Sequence, residues 1–344
     1  MRGMETDPHN GLLAIDTHVD IPWPEGPSPF EDGPRCVDLP KMRQGRVGAV
    51  CFAAYIPQGR RDEAGHAAAT SRARAMLDAI AAMAPADGSG GIWATSAGAI
   101  EAAFAAGKPG IVPVIENGYA IGKSLALLDE FAARGIRYMT LTHNGHNEIA
   151  DAAIALPTLG DPETLYGGLS DFGQAVIARM NELGVLIDIS HASKATMMQA
   201  AQRSRTPVVA THSCMKTLCD HKRNLDDEQL DALAATGGLA QITIVSNFLR
   251  PKARAADLTV EDIVDHVDYA VKRMGVDHVG IGTDFDGGGG VRGFMNASQT
   301  PNLTAALAKR GYGRSEIEKI WGGNFLRLMR KAEAVAAEFQ AAAE

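Results

Sequence analysis

The sequence predicts an α/β protein folded as a closed (β/α)8 barrel, a single domain over residues 1–344 with helices at its C-terminus. Three observations carry that prediction. Eight short, β-branched apolar runs recur along the chain, as expected of parallel strands buried on both faces. Amphipathic helical stretches separate most of them, the alternation that builds a parallel sheet. Ionisable side chains fall at the C-terminal ends of the runs, where such a barrel gathers its site. A length of 344 residues and an apolar fraction of 46% suit one barrel with a full core.

The first strand is LLAIDTHVD (12–20), followed by a loop-like stretch over 21–46. VGAVCFAAY (47–55) is the second, with an Ala-rich helix over 65–83 behind it. GIVPVIEN (110–117) leads to a helix over 124–134, and IRYMTLTH (136–143) to a loop over 146–168 and a helix over 170–183. GVLIDISH (184–191), PVVATHS (207–213) and GLAQITIV (238–245) precede helices over 193–203, 227–235 and 260–274. HVGIGTDF (278–285) runs into a Gly-rich stretch, 286–302, that is expected to be flexible, and residues 314–344 supply one or two outer helices. An open, doubly wound sheet would use similar parts. Eight units are many for it, however, and no GxGxxG follows the first strand.

The formal net charge of −8 gives no basic footprint, so nucleic acid is not expected as a partner. No run of about 18 apolar residues is present, which excludes a membrane-spanning helix from the reading. The opening MRGMETDPHNGLL lacks the apolar stretch of a secretory signal, and the expectation is a cytoplasmic protein. Cys36, Cys51, Cys214 and Cys219 form no CxxC pair, which argues against a structural zinc knuckle and leaves a disulfide open.

Strand ends deliver His18 and Asp20, Glu116, His143, His191, His212 and Asp284 to one face of the barrel. Seven ionisable groups brought together there are costly unless they hold a cation. His18 and Asp20 are two apart, so on a strand they point the same way and form a natural pair for a divalent metal. His191 and His212 end successive strands and offer a second position, and Glu116 can bridge the two through separate oxygens. Two ions roughly 3.5–4 Å apart would activate one shared hydroxide. Asp286 reads as a turn or cap residue, and His66, His146, His221, His266 and His278 have no position at a strand end.

Over nearly its whole length the chain resembles the membrane (renal-type) dipeptidase family of the amidohydrolase-like barrels. The shared stretches are DTHVD (16–20), VIENG (114–118), YMTLTHN (138–144), GVLIDISHAS (184–193), VVATHS (208–213), KRNLDD (222–227), GIGTDFDG (280–287) and WGGNFLRLM (321–329). The resemblance implies a metallo-dipeptidase with two divalent ions, zinc in first place, and a homodimer. His18 and Asp20 would hold one ion, His191 and His212 the other, and Glu116 both. It further implies that His143 contacts substrate, Arg223 binds its free carboxylate, and Asp284 carries the proton. A planar guanidinium suits that carboxylate better than lysine would. L-L dipeptides are the expected substrates, with L-D dipeptides and β-lactams to be tested. Asn117-Gly118-Tyr119 departs from the Gly-Gly-His of mammalian members, which bears on specificity rather than chemistry. Hydrolysis of lactones or other amides on the same barrel is the alternative, and a barrel kept only for binding is a more distant one.

Overall fold

The computed structural model describes residues 7–22 and 26–343. The residues at the chain start that bear on a leader, and part of the 21–46 stretch, lie outside them. Nine strands form one parallel sheet: β1 (Ala14–Asp20), β2 (Val47–Tyr55), β3 (Ile92–Trp93), β4 (Gly110–Glu116), β5 (Tyr138–Thr140), β6 (Leu186–Asp188), β7 (Val209–Ser213), β8 (Leu239–Ile242) and β9 (Val279–Ile281). Their order is β1-β2-β4-β5-β6-β7-β8-β9, with short β3 pairing β4 from the side. The ring closes beyond β9. The Asp20 N–H donates to the Phe285 carbonyl at 3.0 Å and the Asp284 N–H to the His18 carbonyl at 2.9 Å. Eight strands around one closure make the predicted barrel, and β3 is an addition to it.

Helices predicted from periodicity occur where their caps place them. Val260–Met274 buries Ile263, Val264, Val267, Ala270 and Met274, a stripe at helical spacing. Its first turn is closed by a capping box in which the Thr259 N–H donates to Asp262 Oδ2 at 2.8 Å. Asp171–Leu183 ends at Gly184, whose φ of 68° suits a residue without a Cβ. The last helix, Asn324–Ala343, buries Leu326, Leu328 and Met329 in one cluster with Ile15, Leu186, Val209 and Leu239. It therefore packs where β1, β6, β7 and β8 begin, opposite the candidate ligands.

Two expectations need correction. The 21–46 stretch is not all loop. Asp38 accepts the Lys41 N–H and starts the helix Leu39–Gln44, whose polar, six-residue length carries little periodicity. The 286–302 stretch is not simply flexible. Bridges Val245↔Gly289, Thr259↔Arg292 and Val291↔Phe294 stitch it down, and the helix Thr300–Arg310 begins within it. All four cysteines are free thiols. Among the described residues no helix is long and apolar enough to cross a membrane.

Candidate metal centre

The C-terminal end of the barrel brings together the groups expected there. His18 and Asp20 come from β1, Glu116 is the last residue of β4, and His212 lies in β7. His143, His191 and Asp284 each stand three residues beyond β5, β6 and β9, where the chain has already left the ladder. His191 (φ 64°) and Asp284 (φ 60°) reach their places by left-handed backbone, as does Asn117 (φ 87°) beside Glu116. Non-glycine residues in that region are uncommon and cluster at functional sites.

Glu116 is the hub. Its Oε1 lies 3.1 Å from His191 Nε2, 3.5 Å from His212 Nε2 and 4.0 Å from His143 Nε2, while its Oε2 lies 3.7 Å from His18 Nε2. Asp20 Oδ1 is 3.7 Å from the same His18 nitrogen. The His18 and His212 rings stack at 3.8 Å, and those of His143 and His191 lie 4.1 Å apart. Among the described residues three groupings offer ligand atoms within 4.8 Å of one another: His18, Glu116 and His212; Glu116, His143 and His191; and His18, Asp20 and Asp284. The expected pairs are thus interleaved, with His212 beside His18 as well as near His191.

Hydrogen bonds fix which ring nitrogens face inward. The Tyr138 hydroxyl donates its single proton to the Thr17 carbonyl at 2.8 Å, so it accepts from His18 Nδ1 at 2.7 Å. His191 Nδ1 faces Asn144 Oδ1 at 3.2 Å. Both rings therefore carry a proton on Nδ1 and turn Nε2 toward carboxylate oxygens. Acceptors that face acceptors repel unless a cation lies between them. Accordingly His18 Nε2, His212 Nε2 and Asp20 Oδ1 are buried with no hydrogen-bond partner. A donor set of imidazoles and carboxylates with orphaned lone pairs fits a divalent ion of the zinc type.

The electrostatics say the same. Burial disfavours charge on His18, yet Glu116, Asp20 and Asp284 outweigh it and raise the imidazole well above its ordinary value. Burial and then the neighbouring carboxylates raise Asp20 and Asp284 as well. Burial also works against the Glu116 anion, but His18, drawn toward its charged form, holds its carboxyl well below the usual range. Burial pushes His143 down, and His191 and His212 far down, so these rings are neutral at pH 7. Three close carboxyl groups and three neutral imidazoles, with His18 alone drawn toward its charged form, make a site short of positive charge.

Arg223, in the segment after β7, is buried behind this cluster. One Nη donates to the His212 carbonyl at 3.3 Å, the Phe248 ring faces the guanidinium at 5.3 Å, and Nε has no partner. Burial lowers its pKa to about 10, which leaves it cationic at neutral pH. A cavity of about 310 Å³ opens on the cluster, where Tyr55, Asn144, Val245 and Phe248 wall it together with Asp20, Glu116, His143, His191 and Asp284. Gly287 permits this packing, since a Cβ there would lie 2.2 Å from Asp284 Oδ1 and 2.6 Å from Asp20 Oδ2.

Asp286 binds the distant N–H groups of Cys36 and Val37 at 2.7 and 3.1 Å, a longer reach than the turn role expected of it. His146 and His266 each hold two backbone groups and serve the fold. Sequence reasoning missed Tyr138, Asn144, Asp188 and Thr211, which orient or support the histidines. A readable signal did exist for Asp188, a carboxylate in the middle of the apolar run LIDIS.

The model of the family described as Membrane dipeptidase (Peptidase family M19) matches residues 9–343. Dipeptidase tcpJ of Claviceps purpurea is 32% identical over 339 residues, covering 97% of this chain and 78% of that protein. The crystal structure of the probable dipeptidase PvdM from Pseudomonas aeruginosa superposes with a TM-score of 0.91 at 29% identity, over 96% of this chain and 98% of that one. A metallopeptidase from Rhodobacter sphaeroides, solved with a phosphinate mimic of L-Ala-D-Ala, superposes with a TM-score of 0.82 at 25% identity, over 93% and 99%. This chain belongs to the membrane dipeptidase family, peptidase family M19, and is a metal-dependent hydrolase of peptide bonds.

Proposed function

We propose that the chain is a dipeptidase with two zinc ions, cleaving L-L and L-D dipeptides. The observation that carries this reading is the split of Glu116, with Oε2 turned toward His18 and Oε1 toward His143, His191 and His212. A carboxylate placed so can serve two ions, one held with His18 and Asp20 and the other with His191 and His212. Such a pair supplies a nucleophilic water at neutral pH and polarises the scissile carbonyl.

The remaining work falls to side chains. His143, kept neutral by burial, has an N–H to offer the carbonyl oxygen as negative charge develops there. Asp284, whose carboxyl burial raises, takes the proton of the attacking water and hands it to the departing amine. Arg223 offers its fork to the free carboxylate of the substrate. A cavity of about 310 Å³ suits a short substrate, and an interior residue of a longer peptide would bring no free carboxylate to Arg223. The L-Ala-D-Ala mimic in the Rhodobacter sphaeroides relative supports acceptance of a D residue at the C-terminal position.

The test is hydrolysis of alanine-containing L-L and L-D dipeptides by zinc-loaded protein, with and without chelator. Cleavage of both series that chelator abolishes is the expected result. Protein carrying its metal but inert toward every dipeptide would redirect the assignment to lactones or other amides. Arg223→Met should raise KM by about 10- to 100-fold with little change in kcat, because a charge-assisted hydrogen bond contributes about 1.5–3 kcal/mol. An unchanged KM would remove Arg223 from substrate recognition.

A further inference from the structure

Beneath the candidate ligands lies a buried carboxylate that takes no part in the roles above. Asp188 ends β6 inside the barrel with no exposed surface, and four donors converge on it. The backbone N–H groups of Ser190 and Thr211 each reach Oδ1 at 3.0 Å. The hydroxyls of Thr140 and Thr211 reach Oδ2 at 2.6 and 2.7 Å. A threonine hydroxyl has one proton, and that of Thr211 is directed at Asp188. Toward His212 Nδ1, 2.9 Å away, its oxygen can only accept. The ring proton therefore sits on Nδ1, and His212 Nε2 presents its lone pair toward Glu116 Oε1 at 3.5 Å. The Ser190 hydroxyl accepts the His212 backbone N–H at 3.0 Å and holds the residue from its other side.

We propose that Asp188, acting through Thr211, is a positioning residue that sets the His212 tautomer and so makes Nε2 available as a ligand. Only the ligand half rests on the two-zinc reading; the tautomer belongs to the protein chain itself. Outer partners of this kind fix ring orientation and ligand basicity at metal sites. The carboxylate is needed because it only accepts. In Asp188→Asn the amide must keep its oxygen where two immovable backbone N–H groups point, and its NH2 then faces the hydroxyls. Thr211 would accept from the amide and give its own proton to Nδ1, and the ring proton would move to Nε2.

Nitrogen NMR of the histidine side chains in chelator-stripped protein reads the tautomer directly, and competition with a chromophoric chelator reads Zn2+ affinity. The unsubstituted protein should show His212 protonated on Nδ1. Asp188→Asn should shift the proton to Nε2 and weaken one Zn2+ site by about 10- to 100-fold. Thr211→Val should weaken it similarly, whereas Thr211→Ser, which keeps the hydroxyl, should bind Zn2+ as the unsubstituted protein does. Should Thr211→Val fail to fold, the other two variants and the native tautomer still decide the matter. A proton on Nε2 in the unsubstituted protein, or unchanged tautomer and affinity in Asp188→Asn, overturns the proposal. Protein that binds no Zn2+ yet shows the Nδ1 proton would sink the two-zinc reading while supporting the Asp188–Thr211 relay.

Discussion

Glu116→Gln protein, loaded with excess Zn2+ and then desalted, is expected to lose most of its metal and to turn over an alanine dipeptide about 10³-fold more slowly. The rate figure follows from removing several kcal/mol of Lewis-acid stabilisation, about 4, at 1.36 kcal/mol per tenfold. Glutamine matches the volume of glutamate, so no cavity opens at the end of β4. What changes is chemical. One oxygen becomes an NH2 that must face either His18 or the group of His143, His191 and His212, where lone pairs now converge. An amide cannot offer an acceptor to both sides, and the charge that attracts a cation is gone. Metal content by mass spectrometry, alongside kcat, checks both halves. A variant with full metal content and near-normal turnover would show that Glu116 is not shared between ions.

How much of this centre the sequence reveals depends on whether a residue's role is local. His18 and Asp20 share a strand face by their spacing alone, and strand ends converge in any closed barrel, so the ligand candidates were legible. The helices were legible too, because Asp171–Leu183 and Val260–Met274 carry their own stripes and caps. Strand lengths were not. The run 184–191 is strand only over Leu186–Asp188, because the chain turns away until His191 sits at φ 64°. Composition carries no mark of that bend. The interleaving of His212 with His18 was equally hidden, since it depends on how β1 and β7 face each other across the barrel. Supporting residues were the least legible of all. Tyr138 is 120 positions from the His18 it orients, and nothing in YMTLTH distinguishes it from an ordinary core tyrosine. Asp188 differs, because an acid inside an apolar strand must find several donors. Such a residue beside a metal-ligand candidate is worth reading as its support.

The variant Asp284→Asn separates proton transfer from metal binding. Asparagine tolerates left-handed backbone as aspartate does, so the φ of 60° at this position is kept. The backbone bonds that seat it are kept as well: its N–H donates to the His18 carbonyl, and its own carbonyl accepts from Gly287 and Gly289. The lost property is the capacity to take up and release a proton. Burial, with Asp20 and Glu116 nearby, raises this carboxyl well above the ordinary value. The first step needs the ionised form, so the rate of the unsubstituted enzyme should rise as pH rises through that pKa. In the variant kcat should fall by about 10² to 10⁴-fold, and the acid limb of the rate–pH profile should disappear. Metal content should hold, because the two proposed sites take their ligands from other residues. Loss of metal together with activity would instead make Asp284 a ligand, as its grouping with His18 and Asp20 also permits. A nearly normal rate with an intact acid limb would place the proton on some other group.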